Sequence, residues 1–347
     1  MRMDSAELRR RRAARARERA RRRARRRLLA TGALAVVVAA VAVTIASAGG
    51  RSPAPGAHPS GGASLAASGR HRRRAGSARS GRLTADAAGP SAPHRSTAAA
   101  LGPPTGHPGT LSVPILMYHV IAPPPPGAPF PGLYVPAAEF AAQMQALHAA
   151  GWHPVTLDQL RAYWTDGARL PPGRPFVLTF DNGYHSQYAQ ALPILRRLGW
   201  VADENLQLSG LPPSQGGLTS DEVRALIDAG WELDTQGISH ADLPALTPAQ
   251  LRYQIATARR LLRRRYGVPV DWFCYPSGQY DAAVIAAVRA AGFIGSTTVV
   301  PGWASPRTNP YTLPRLRVLG GTSPSQLLAQ IAAAQSQPPP PSSYVTG

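Results

Sequence analysis

Phe176-Val177-Leu178-Thr179-Phe180-Asp181-Asn182-Gly183-Tyr184 sets the architecture expected of this chain. Its apolar, β-branched and aromatic run stops abruptly at Asp-Asn-Gly, the pattern of a buried parallel strand that ends in a tight turn. Such a strand carries a carboxylate and an amide to the C-terminal edge of a sheet, where barrels and open α/β sheets keep their chemistry. Asp-Asn-Gly is also a good turn in its own right, since all three residues tolerate the left-handed region. What else arrives at the same edge decides between the two.

On both sides of this run, short apolar segments alternate with amphipathic ones. Strands are expected near 115–120, 176–180, 205–208, 231–236, 272–275, 296–300 and 313–318. Several helices announce their starts with a Ser/Thr-x-x-Glu/Gln capping pattern: Thr219 with Glu222, Thr247 with Gln250, and Ser323 with Gln326. The last two also place Pro at the first helical position. After Thr247, Leu251, Ile255, Ala258 and Leu262 recur at helical spacing, with Arg259, Arg260, Arg263 and Arg264 largely on the solvated side. Strands alternating with helices in this way predict an α/β fold, a distorted or incomplete (β/α) barrel of about seven strands over residues 113–335. A doubly wound open sheet is the competitor. No Gly-x-Gly-x-x-Gly or phosphate-loop pattern supports nucleotide binding.

The chain has 347 residues and a formal charge of +20, which first suggests nucleic acid. The distribution of charge excludes that reading: residues 1–27 carry 14 Arg against 3 acids, while residues 113–347 carry 16 Arg against 14 acids. Residues 28–48 are uncharged and rich in Leu, Ala, Val and Ile, about the ~20 residues needed to cross a hydrocarbon core. They predict a transmembrane signal anchor with the Arg-rich tail cytoplasmic, a single pass through the cell membrane, and an extracytoplasmic barrel. Ala46-Ser47-Ala48 resembles a cleavage site, so secretion after cleavage behind Ala48 is the alternative. Residues 49–112, rich in Ala, Gly, Ser, Pro and Arg, read as a disordered basic linker, and 336–347 as a disordered Pro-rich tail. The lone Cys274 excludes an internal disulfide and a cysteine-based zinc cluster.

Placed on this scheme, the polar residues gather at strand C-termini. His119 ends the first strand, and Asp181 and Asn182 follow the second. Asp234 and Gln236 end the fourth with His240 just beyond, Tyr275-Pro276-Ser277-Gly278 closes the fifth, and Arg315 and Arg317 sit on the seventh. In a barrel these ends converge on one mouth.

Four ordered segments resemble the motifs of the polysaccharide deacetylases of the NodB-homology type: Tyr118-His119, the run from Thr179 to Tyr184, the run from Trp231 to Leu243, and the run from Phe273 to Asp281. The resemblance covers roughly residues 113–334. It implies a distorted (β/α) barrel, a divalent metal, zinc first among them, and hydrolysis of N-acetyl carbon–nitrogen bonds on glycans such as peptidoglycan, chitin-like polymers or exopolysaccharide. It makes Asp181 the general base, and assigns substrate contacts to the mouth residues His119, Tyr184, Tyr275, Pro276, Gly278 and Arg315.

The departures from the family pattern are as informative. Where the family reads Thr-Phe-Asp-Asp-Gly, the ligand position here holds Asn182, and the His-x-x-x-His pair has become Gln236 and His240. Amide oxygens are weak donors to zinc. Asp234 shares a strand face with Gln236 and, with His240 and Asp203 or Glu204, offers one way to rebuild a carboxylate-containing metal site. The Thr- and Phe-rich strand of the family is replaced by Asp203-Glu204-Asn205-Leu206, and no late Leu-x-His supplies a general acid. Two functions follow from the resemblance: a membrane-tethered deacetylase of a cell-envelope glycan, or a catalytically inactive homologue whose Tyr184, Tyr275 and Tyr280 stack on sugars without a metal. A glycosidase using Asp181 with Asp234 is a distant third.

Overall fold

The computed structural model describes residues 104–209, 211 and 216–345. The expected Arg-rich tail, the anchor at 28–48 and the linker up to residue 103 lie outside the described residues. Among the described residues no helix is long and apolar enough to cross a membrane.

Among the described residues nine strands form one sheet: β1 (Val113–Tyr118), β2 (Trp152–Pro154), β3 (Arg174–Asn182), β4 (Asp203–Leu206), β5 (Glu232–Thr235), β6 (Trp272–Cys274), β7 (Gly295–Thr297), β8 (Trp303–Ala304) and β9 (Leu316–Arg317). Parallel pairing runs β1-β3-β4-β5-β6-β7. The ring then turns back on itself, because residues 313–317 bond to both of its edges. Leu313 bridges Thr297 of β7, and β9 pairs in parallel with β1. The result is a distorted barrel of seven parallel strands, thin between β5 and β6, where a single residue pair, Thr235 with Phe273, is in register. β2 and β8 are short additions on β3 and β1.

Strand alternation sorts the side chains. In β3, Phe176, Leu178 and Phe180 pack outward with Leu116 and Tyr118 of β1. Val177 joins Val113, Ile115, Leu313 and Trp272 in a separate cluster. Thr179 and Asp181 continue the Val177 face toward the strand's C-terminal end. Around the sheet lie α1 (Ala137–Ala149), α2 (Leu157–Asp166), α3 (Leu192–Leu198), α4 (Ser220–Asp228), α5 (Pro248–Arg252), α6 (Ala258–Tyr266), α7 (Ala282–Ala290) and α8 (Pro324–Ala334). All three expected capping boxes form, and Thr156 with Gln159 makes a fourth at the start of α2.

The expected linker and tail both give up residues to the folded unit. Thr105 and Gly109 donate backbone N–H groups to Gly167 and Tyr163 carbonyls, and the Trp164 indole donates to the Leu111 carbonyl. At the other end, Tyr344 exchanges two backbone hydrogen bonds with Tyr280, whose hydroxyl donates to the Pro341 carbonyl at 2.7 Å. A Pro-rich chain is already extended, so it can lie along a strand-like edge without a core of its own.

Candidate functional site

β3 carries Asp181 to the mouth and β9's approach brings Arg315 to meet it. The two form a bidentate pair, with Nη1 to Oδ1 at 2.7 Å and Nη2 to Oδ2 at 2.8 Å. Asp181 is 1% exposed and Arg315 0%. The rest of each group is also engaged. Asn205 Nδ2 donates to Asp181 Oδ1 at 2.9 Å, and the Cys274 thiol lies 3.5 Å from Oδ2. Arg315 gives its Nε–H to the Thr298 carbonyl and a second Nη1 contact to the Thr179 hydroxyl. Burial alone would raise the Asp181 pKa, but the Arg315 guanidinium outweighs it and brings the value down to about 2. Fork-to-fork geometry of this kind is the strong form of a charge-assisted hydrogen bond.

His119 stands beside the pair, its Nε2 3.9 Å from Asp181 Oδ2. Its Nδ1 is buried without a partner. Burial lowers its pKa to about 4, more than the nearby Asp181 raises it, so the ring is neutral at pH 7. His240 is close enough to affect that ring, and its own pKa is lowered by partial burial. His240 Nε2 accepts the Ser277 N–H at 3.4 Å.

The two amides at the expected ligand positions, Asn182 and Gln236, offer only neutral carbonyl oxygens, which are weak donors to zinc. Asn182 has φ +80° and turns its Nδ2 onto Gln207 Oε1 at 2.9 Å. Gln236 is 2% exposed, with its side-chain oxygen buried and unpartnered. Among the described residues the only two non-glycine residues with positive φ are Asn182 and Ser277, both at this mouth. Backbone strain concentrated at one place is a mark of a site.

A tightly held zinc ion does not fit these donors. Among the described residues the one group of three His, Cys, Asp or Glu donors that could hold a cation is Asp203, Glu232 and Asp234. His240 is not in it. Asp234, expected beside Gln236 as a rescuing ligand, instead accepts the Trp272 N–H and faces Asp203 and Glu232. The reason is the register: Asp234 lies opposite Asn205, and Glu232 opposite Asp203, so the acids gather among themselves.

The aromatic residues expected to stack on sugars are also placed differently. Tyr275 and Tyr280 are both 0% exposed and stack on each other, ring centroids 4.9 Å apart at 28°. The Tyr275 hydroxyl donates to the Tyr311 carbonyl. Pro276 and Gly278 are buried, and a Cβ at Gly278 would sit 2.3 Å from a Val299 methyl. Arg315 is spent on Asp181. Of the expected substrate contacts, His119 and Tyr184 keep slivers of surface, and Tyr184 packs beside Val120 and Tyr134. Open space lies next to the mouth, in a pocket of about 380 Å³ lined by Val299, Pro301, Arg317, Leu319, Thr322 and Gln330. Asn205, Cys274 and Thr179 complete the Asp181 cage and were not singled out from the sequence. Their inward alternation with Asp181 was the available signal.

Comparison with known proteins agrees with this barrel. The polysaccharide deacetylase family model matches residues 169–295. YxkH of Bacillus subtilis, whose name places it among the polysaccharide deacetylases, is 29% identical over 220 residues, 63% of this chain and 76% of that protein. A 60-residue stretch is 40% identical to the poly-beta-1,6-N-acetyl-D-glucosamine N-deacetylase of Escherichia coli K12, covering 17% of this chain and 9% of that one. The Streptococcus pyogenes deacetylase PplD, solved with acetate, superposes with a TM-score of 0.58 at 25% identity, over 64% of this chain and 99% of PplD. IcaB of Ammonifex degensii shares the fold, with a TM-score of 0.54 at 22% identity over 65% of this chain and 98% of IcaB. Over residues 169–295 the chain matches the polysaccharide deacetylase family model, and its barrel is similar to those of proteins named as polysaccharide deacetylases.

Proposed function

We propose that this protein is a membrane-tethered, extracytoplasmic receptor for an N-acetylated cell-envelope glycan, peptidoglycan or exopolysaccharide, built on the deacetylase barrel without the family's metal-dependent hydrolysis. The observation that carries this reading is the state of Asp181. A general base must reach the water it deprotonates and hold a pKa near the working pH. Asp181 is 1% exposed, bound on both oxygens by Arg315, and lowered to about 2. Amides at 182 and 236 leave His240 as the single strong ligand of the family's set. The pocket beside Arg317 supports a sugar site, with polar groups from Arg317, Thr322 and Gln330 and apolar walls from Val299, Pro301 and Leu319.

A hydrolytic reading is favoured by one observation, the two neutral imidazoles His119 and His240 at the mouth, and by the names of the relatives. One experiment separates the two. Binding to acetylated and deacetylated poly-N-acetylglucosamine and to peptidoglycan would be measured alongside acetate release in zinc, cobalt, nickel or manganese. Binding that prefers the acetylated polymer, with no acetate released, is the expected result. Metal-stimulated acetate release that disappears in Asp181→Asn would sink the receptor reading.

A further inference from the structure

The barrel wall at β4 and β5 holds three carboxylates with no cationic side chain paired to them among the described residues. The starts of β4 and β5 bring Asp203, Glu232 and Asp234 together, one donor oxygen of each within 4.8 Å of the others. Asp203 and Asp234 are 0% exposed. Each carboxylate is fixed from one side by a main-chain N–H: Leu157 to Asp203 Oδ1 at 2.8 Å, Asp158 to Glu232 Oε2 at 2.9 Å, and Trp272 to Asp234 Oδ1 at 2.9 Å. The remaining oxygens, Asp203 Oδ2, Glu232 Oε1 and Asp234 Oδ2, are buried and have no partner.

That pattern differs from a simple acidic patch. The main-chain donors leave each carboxylate one free oxygen, and all three free oxygens are shut off from water. Burial and the neighbouring acids push the pKa of all three well above the ordinary carboxylate range, so either protons or a bound cation must neutralise them. Asp181, on the same barrel interior, is neutralised by Arg315. Among the described residues no Arg or His ion pair reaches the three acids below it. The positive end of α2, whose first N–H groups point at Asp203 and Glu232, supplies only a fraction of a charge. The donors are all oxygen, with no imidazole or thiolate. Such a set suits a hard cation and discriminates against zinc.

We propose that Asp203, Glu232 and Asp234 hold a hard divalent cation of the Mg²⁺, Mn²⁺ or Ca²⁺ class, which ties the starts of β4 and β5 to the first turn of α2. The site is structural and independent of the mouth. Its three ligands take their main-chain bonds from Leu157, Asp158 and Trp272 and none from the mouth residues, and its loss leaves the glycan reading untouched.

The test uses the full chain, stripped with chelator and reloaded separately with magnesium, manganese and calcium, followed by elemental analysis and thermal unfolding. One equivalent is expected to be retained, raising the unfolding temperature by about 5 °C or more. His240→Ala, which alters the mouth, should retain both the equivalent and the shift, whereas Glu232→Gln should lose both. Should Glu232→Gln fail to fold, the wild-type response to chelator and reloading still decides. A stripped chain that takes up no cation and unfolds at an unchanged temperature in every metal overturns the proposal. So does a bound equivalent that vanishes in His240→Ala, since that would assign the cation to the mouth.

Discussion

Asp181 is the carboxylate best placed at the mouth and the least available there. Removing Arg315 would leave it buried and unpaired, so Arg315→Met is expected to cost about 3–5 kcal/mol in urea unfolding, while Asp181→Leu combined with Arg315→Met should recover most of that loss. The pair also fixes the acid limb of stability. With a folded pKa near 2, below the ordinary carboxylate value, its contribution is complete above about pH 4 and is lost as pH falls toward 2. His119 acts at higher pH. Its folded pKa of about 4 lies below the ordinary histidine value of 6.5, so the native state resists protonation and stability declines as pH drops from about 6.5 to 4. Unfolding temperatures between pH 8 and about 2 should show both limbs, and His119→Gln should flatten only the upper one. The ligand positions invite the reverse experiment. Asn182→Asp together with Gln236→His would restore two strong donors around His240, and tight zinc binding absent from the wild type is the expected gain. Equal zinc binding by the wild type would show that the amides already suffice.

At the scale of elements, α2 links the two ends of this argument. Its capping box orients the Leu157 and Asp158 N–H groups that hold Asp203 and Glu232. Thr156→Ala should therefore cost about 1–2 kcal/mol from the cap alone, and more if the carboxylates below it lose their alignment. Chemical denaturation of wild type and variant measures the difference. This start was missed in the sequence because Thr156 follows the brief strand β2, whose three residues include a Pro and show no period. The longer elements were legible: β3 has nine residues with a continuous apolar run ending at Asp-Asn, and the boxes at Thr219, Thr247 and Ser323 stand before amphipathic runs. β8, at two residues, carries no periodic signal and exists through pairing with β1, whereas β9 falls inside the strand expected near 313–318. The mouth was legible in its members and not in their states. Asp181, His119, Gln236 and His240 fall at strand ends, which local pattern reveals. Which of them is shut in depends on Arg315, 134 residues from Asp181 in the chain, and no local pattern encodes that contact.

For the molecule as a whole, composition misjudges where folding begins and ends. Ala, Gly, Ser and Pro signal a chain that cannot build a core, yet such a chain can still dock on one. Before β1, the Thr110 and Leu111 N–H groups both reach the Tyr163 hydroxyl, and the Trp164 indole holds the Leu111 carbonyl. After α8, the tail pairs Tyr344 with Tyr280 and accepts its hydroxyl at Pro341. These contacts cover two buried aromatic groups from opposite ends of the chain. A fragment of residues 113–335 would lose both sets, about eight hydrogen bonds at roughly 0.5–1.5 kcal/mol each, partly offset by the entropy regained by the freed segments. Against residues 104–347, it is expected to unfold about 5–10 °C lower in calorimetry, with a single transition in both. The tail matters more than its composition suggests, because Tyr280 continues the motif Tyr275-Pro276-Ser277-Gly278 and stacks on Tyr275. Deleting residues 336–347 alone should therefore expose Tyr280 and loosen the Ser277 turn that meets His240. An unchanged unfolding temperature and unchanged tyrosine fluorescence after that deletion would show that the tail merely rests on the barrel.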